Sequence, residues 1–134
     1  MTAMIRAADG TGRLLVRCDT ASVPIVSIQF LPKPGLPAMD LVTATATFDE
    51  AMAINSTWQV VGGGAYNAEV ADVWDMVNRI AKAKTIRLTI VKPDDSVTES
   101  TFVGPGDDSK FRQVYAACGI PFETPPVPVN PKPR

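Results

Sequence analysis

The sequence predicts an α+β fold, a mainly antiparallel sheet of about six strands with two helices packed on one face. Three features of the pattern support this class. Six short segments are rich in apolar residues, and the clearest of them alternate apolar and polar side chains as strands do. Two longer segments repeat apolar residues at helical spacing. Turn sequences join most neighbouring strands, which favours antiparallel pairing because parallel strands need long crossover connections.

Four strands are predicted before the first helix. Apolar residues predominate in residues 13–18 and 23–31. Within residues 41–48, apolar side chains alternate with threonines, which is the pattern of a strand with one buried face. Residues 57–61 form the fourth strand, and the glycine run 62–64 ends it.

Two helices and a hairpin complete the predicted domain. The first helix is expected to begin at Asn67, a favourable capping residue, and to end near Lys84. Residues 86–91 and 97–103 are predicted to pair as a hairpin, because a proline and two aspartates form the turn between them. A second helix follows, and Gly119 is well placed to end it.

The domain organisation follows from these elements. Residues 13–120 are predicted to form a single α+β domain, preceded by a flexible N-terminus over residues 1–12. Residues 121–134 contain six prolines and are predicted to form a disordered tail. Residues 128–131 fit a PxxP motif that aromatic grooves accept, although a plain spacer is the simpler interpretation.

Composition and charge argue against several classes of function. The chain has 134 residues, with 13 basic and 14 acidic side chains, so it lacks the basic excess typical of nucleic-acid-binding proteins. No apolar run approaches the ~18 residues of a membrane span, so membrane insertion is not expected. The first residues show no apolar signal segment, and export would therefore require that a signal peptide had been removed.

Catalysis, metal binding and cofactor binding are also not expected. The chain has no histidine, the commonest general base and metal ligand. Three acidic pairs, at residues 49–50, 94–95 and 107–108, are better explained as a strand end, a turn and a helix start. We therefore expect no enzyme, no metal site and no cofactor.

The best sequence candidates for a ligand or partner contact lie around the glycine run. The segment Gly62-Gly63-Gly64 precedes a helix, where phosphates can bind, but it lacks the lysine and hydroxyl of a P-loop, so a flexible connector is the simpler interpretation. Tyr66, beside the glycines, is the best candidate for an exposed contact. Trp58 and two further aromatic residues could line a groove with it, although a core position is simpler. These two are Trp74 and Tyr115.

Two cysteines, Cys18 and Cys118, bracket nearly all of the predicted domain. They could form a redox or metal pair, although they have neither CxxC spacing nor a histidine to support one. They could remain two buried thiols in a reducing compartment, or they could form a structural disulfide. The residues alone leave these alternatives open.

Several segments resemble, in the same order, the landmarks of one known family. Residues 13–18 resemble an LxxRC strand, Phe48-Asp49 resembles a strand end in FD, and Trp58 follows at a tryptophan position. The remaining landmarks are a helix, a strand ending in F-x-x-x-G and a closing ACG. Residues 73–84, 100–104 and 114–119 resemble them, although only one residue separates Phe102 from Gly104. Over residues 13–119 the chain is therefore similar to TagO/VasI-like proteins, which are accessory proteins of the bacterial type VI secretion system.

The resemblance implies a periplasmic or secreted location and a disulfide between Cys18 and Cys118. It also implies a non-enzymatic envelope module that acts by contact with a protein partner or a cell-wall component. An alternative is a phage-encoded or cytoplasmic interaction protein that docks on a host complex as an inhibitor.

Overall fold

The structure, a computed structural model, describes residues 1–20 and 22–126. It is an α+β fold with one antiparallel sheet and two helices, as the sequence predicts, but the sheet has eight strands rather than about six. The strands are β1 (Thr2–Arg6), β2 (Gly12–Asp19), β3 (Ile25–Pro32), β4 (Leu41–Phe48), β5 (Ile54–Val61), β6 (Gly64–Asn67), β7 (Thr85–Val91) and β8 (Val97–Val103). The helices are α1 (Val70–Lys82) and α2 (Ser109–Ala117).

The strands lie in the order β1-β2-β3-β6-β5-β4-β7-β8, and every neighbouring pair is antiparallel. The sheet curls enough to bring its last strand near its third. The rings of Phe30 in β3 and Phe102 in β8 meet edge to face, with centroids 6.1 Å apart. The hydroxyl oxygens of Thr11 and Ser100 lie 2.8 Å apart. The inner face of the curled sheet therefore encloses most of the core.

The two additional strands correct the sequence prediction. Residues 1–12 are not a flexible terminus, because β1 pairs with β2 along its whole length and buries Ala3. β6 is only four residues long and begins at Gly64, so its local pattern resembles a turn. Its pairing with β3 and β5 decides its conformation, since strand formation depends on neighbours more than on propensity.

The glycine run is a hairpin turn rather than a flexible connector. Gly62 and Gly63 have φ values of 59° and 83° and join β5 to β6. Positive φ at both central residues is the signature of a type I′ turn, which suits the twist of paired strands.

The first helix is capped by Glu69 rather than Asn67: the Glu69 carboxylate accepts a hydrogen bond from the amide of Asp72. The Asn67 side chain accepts one from the Glu69 amide.

The core follows the predicted alternation. In β4 every second residue from Val42 to Phe48 is buried, while the threonines between them point away. Both helices contribute to the same core, α1 through a stripe that includes Val77 and Ile80. α1 contacts β3, and α2 contacts β1 and β2. Within the described residues, no helix combines the length and apolar character needed to cross a membrane.

Cys18 and Cys118 form a disulfide, with their Cα atoms 5.6 Å apart, and this confirms the pairing that the family resemblance implies. The bond joins the end of β2 to the C-cap of α2.

Gly119 ends α2 as predicted, with φ of 66°. The amide of Gly119 donates to the Ala116 carbonyl, and the amide of Ile120 donates to the Tyr115 carbonyl, each at 3.0 Å. This is a Schellman motif, which satisfies the last free carbonyls of a helix.

The junction between α1 and β7 is held from two sides. The Asp49 carboxylate, at the end of β4, accepts hydrogen bonds from the amides of Lys84 and Thr85, both at 2.9 Å. On the other side, the amide of Gly104 donates to the Lys84 carbonyl at 2.8 Å. A Cβ atom at Gly104 would overlap the Ala83 carbonyl oxygen, so only glycine fits there without a backbone shift.

Replacing both cysteines by alanine is expected to lower the free energy of unfolding by about 2–5 kcal/mol. The disulfide spans 100 residues, and cross-linking so long a loop restricts the unfolded chain strongly. Urea denaturation of the wild-type protein and of the double variant measures the difference. Reductant should lower the stability of the wild type towards that of the variant and leave the variant unchanged. A loss below about 1 kcal/mol would contradict this role.

Candidate functional site

An apolar groove of about 170 Å³ opens between β3, α1 and the segment that follows α2. One wall comes from residues 23–26 at the start of β3, and a second from residues 68–74 around the start of α1. The third wall consists of Tyr115 in α2 with Ile120, Pro121 and Pro126 after it. The groove therefore combines three segments that are far apart in the sequence.

Three aliphatic side chains at the groove are exposed. The exposed fractions are 65% for Val23, 40% for Ile25 and 46% for Val70. Single exposed aliphatic residues are common on protein surfaces, but a concave apolar surface with several of them is typical of a binding site. The groove can therefore accept an apolar side chain from outside the domain.

The disulfide fixes two walls of the groove relative to each other. Val26, in the β3 wall, is the cross-strand partner of Cys18. Tyr115 and Ile120, in the third wall, flank Cys118 on either side along the chain. Because the two cysteines are bonded, these walls can separate only if the covalent link breaks, β3 detaches from β2 or the helix end unfolds.

The segment after α2 is docked on the domain as far as the structure describes it. The indole Nε1 of Trp74 donates a hydrogen bond to the carbonyl oxygen of Phe122 at 2.8 Å. The Phe122 ring is buried, packs edge to face on Tyr115 at 5.0 Å, and lies under the Arg112 guanidinium. Arg112 also pairs with Glu123 at 2.7 Å.

These contacts correct the predicted tail. Residues 121–126 are not a free extended segment, because a buried aromatic ring and a side-chain hydrogen bond attach them to α1 and α2. Residues 127–134, which include the PxxP motif at residues 128–131, lie outside the described residues.

Tyr115 has the one strongly shifted pKa at the groove. Its side chain is buried, and desolvation raises the pKa of the phenol from 10.0 to about 12. The phenol is neutral at physiological pH, as an unshifted tyrosine also is, and it contributes an uncharged surface to the groove.

The contact residues predicted from sequence lie apart from this groove. Trp58 is 1% exposed and belongs to the core, where its indole Nε1 donates to the Ser56 hydroxyl at 2.7 Å, so it is not available to a ligand. Tyr66 is half-buried beside Gln59, on the opposite face of the sheet from Trp58. The glycine run forms the hairpin turn nearby: Gly62 is exposed, Gly63 is half-buried and Gly64 is buried.

Two of the four aromatic residues that could line a groove do so, namely Trp74 and Tyr115. Sequence reasoning missed the aliphatic members, because Val23 and Ile25 look like ordinary strand residues. Phe122 was hidden by the proline-rich composition around it. A usable signal was its position shortly after Gly119, since apolar residues following a helix stop often pack back on the helix.

The acidic pairs have local structural roles. The Asp94 carboxylate accepts hydrogen bonds from the side chain and amide of Ser96, which lower its pKa. The Asp107 carboxylate accepts hydrogen bonds from the amide and side chain of Ser109 at the start of α2, and these hydrogen bonds lower the pKa of Asp107. In residues 1–20 and 22–126, no three acidic, cysteine or histidine side chains are grouped so as to hold a metal ion.

Comparison of the chain with protein-family models, with curated proteins and with solved structures finds no match.

Replacing Trp74 with phenylalanine is expected to loosen the segment after α2. The variant loses the hydrogen bond to the Phe122 carbonyl, so chymotrypsin should cleave the bond after Phe122 about threefold to tenfold faster. Limited proteolysis of the folded protein, followed by mass spectrometry, measures this rate. Glu123→Gln is the control, because it removes only an exposed ion pair of the same segment and should have a smaller effect. An unchanged cleavage rate in W74F would show that the hydrogen bond does not hold the segment.

The alkaline titration of Tyr115 is expected to have its midpoint near pH 12. In a Tyr66→Phe variant, Tyr115 is the one remaining tyrosine of the sequence, so the absorbance of its phenolate can be followed directly. The folded pKa lies above the unfolded value of 10.0, so this group's contribution to stability is complete below pH 10 and is lost as the pH rises towards about 12. Tyr115→Phe should lack this loss. A midpoint close to 10 would mean that the phenol is hydrated.

Proposed function

We propose that this protein is a non-enzymatic binding module of the bacterial cell envelope, which contacts a protein partner through the apolar groove. The observation that carries the proposal is the set of exposed aliphatic side chains around the groove, with Val23, Ile25 and Val70 as its rim. Burying such side chains is favourable, and in protein interfaces a few apolar anchors supply most of the binding energy.

The character of the groove favours a protein over a sugar polymer as the partner. Its walls are formed mainly by aliphatic, proline and aromatic side chains. A volume of about 170 Å³ accommodates one or two apolar side chains rather than a large ligand. Cell-wall glycans carry many hydroxyl groups, which would lose their hydrogen bonds to water in this groove.

The envelope location is supported by the disulfide and by the resemblance to TagO/VasI-like proteins. Disulfides form and persist in oxidising compartments such as the periplasm and are rare in the cytoplasm. Cys18 and Cys118 both belong to the segments that carry the resemblance.

A glutamate at Val70 is expected to abolish partner capture without unfolding the domain. Val70 is the first residue of α1, where a negative charge interacts favourably with the helix N-terminus, so stability should change by less than about 1 kcal/mol. The same charge in the groove rim would have to be desolvated on binding. Quantitative cross-linking in cell envelopes of the native host, compared between wild type and V70E, measures the effect.

Met52→Glu is the matched control for this experiment. Met52 is 89% exposed in the loop between β4 and β5, and it does not line the groove. M52E should therefore cross-link the same partner as the wild type. Equal capture by V70E and the wild type would rule out the groove as the contact surface.

The compartment is tested by the state of the cysteines in protein taken from native cells. Trapping with an alkylating reagent before lysis is expected to label neither Cys18 nor Cys118, and the intact mass should be two hydrogens below that of the reduced chain. Labelling of both thiols would contradict an oxidising location and would favour the cytoplasmic alternative.

A further inference from the structure

A second concave site, which we call the basic pocket, lies at the opposite end of β3 from the groove. It is a cavity of about 450 Å³ whose lining includes Arg6, Arg13 and Lys33. The rest of its surface comes from the β1–β2 loop and from the end of β3, including Leu31 and Pro32. Three positive charges therefore share one cavity in a chain whose net charge is −1.

The two arginines are held next to each other by the register of the sheet. Arg6 in β1 is the direct cross-strand partner of Arg13 in β2, and both side chains are exposed. Like charges at directly opposite positions destabilise a sheet. Lys33 follows β3, and its amide donates to the Thr11 carbonyl at 2.9 Å, which anchors the third charge to the same loop.

The basic side chains of the pocket form no ion pair within the part of the chain that the structure describes. The ion pairs found there use Arg17, Arg79 and Arg112. The one acid of the β1–β2 loop, Asp9, does not line the pocket, and its carboxylate accepts hydrogen bonds from the amide and hydroxyl of Thr11 instead.

We propose that the basic pocket binds a small ligand through its phosphate or carboxylate groups. Guanidinium groups present paired N–H donors that match the oxygens of either anion, and such charge-assisted hydrogen bonds are the strongest available to side chains. The cavity volume is within the range of small-molecule sites. A bound anion would also relieve the repulsion between Arg6 and Arg13, so binding should stabilise the fold.

The basic pocket is independent of the apolar groove. Ile25 at the groove and Lys33 at the pocket are eight residues apart along an extended segment, which corresponds to roughly 25 Å. Loss of anion binding would therefore leave capture of the protein partner unaffected, and the two proposals fail separately.

The test is a calorimetric titration of the folded protein with two probes, inorganic pyrophosphate and citrate. The R6Q/R13Q double variant is compared with R87Q/K110Q, which removes the same charge from two exposed positions outside the pocket. We expect the wild type and R87Q/K110Q to bind at least one probe, and R6Q/R13Q to bind it about tenfold or more weakly. Preference for pyrophosphate or citrate identifies the anion as phosphate or carboxylate.

Thermal unfolding separates binding from a structural role. Without ligand, R6Q/R13Q should be at least as stable as the wild type, because the repulsion between the two arginines is gone. The probe should raise the melting temperature of the wild type but not that of R6Q/R13Q. Three results would overturn the proposal: neither probe binds the wild type, whether or not anionic lipid vesicles do; R6Q/R13Q binds the probe as tightly as the wild type; or both double variants lose affinity equally.

Discussion

The covalent link between β2 and the end of α2 is the constraint on which the C-terminal part of the domain depends. α2 has nine residues, and isolated helices of this length are marginal in water, so its position is decided by tertiary contacts. The disulfide fixes its last turn over the sheet, and the Schellman motif then directs Ile120 and Phe122 back against α1. The third wall of the groove exists because the helix end is fixed.

The residues that carry the resemblance to TagO/VasI-like proteins have structural roles here. Cys18 and Cys118 form the disulfide, Asp49 and Gly104 hold the junction between α1 and β7, and Trp58 fills the core. The rim of the apolar groove lies outside those segments. The proposed relation to that family therefore rests on the framework of the domain, whereas the choice of partner would depend on residues that the landmarks do not include.

Strands with a local signature could be predicted, and those that depend on distant partners could not. β4 and β7 each bury alternate residues, so their period alone identifies them. β1 and β6 are short, and they are strands because β2, β3 and β5 pair with them. Both concave sites also depend on contacts between distant segments, so the sequence did not predict them. The groove needs three segments separated by tens of residues, and the basic pocket needs the register that places Arg6 opposite Arg13.

The disulfide also decides how the domain would respond to mechanical load. If the chain were pulled at its two ends, tension would pass from Cys18 to Cys118 directly through the sulfur atoms. The 100-residue span between them would bear no load, so its strands could not be unravelled by force alone. Stretching would first peel β1 from the edge of the sheet and detach the segment that carries Phe122. Held under tension at both ends, the protein would lose the groove while most of its core stayed folded.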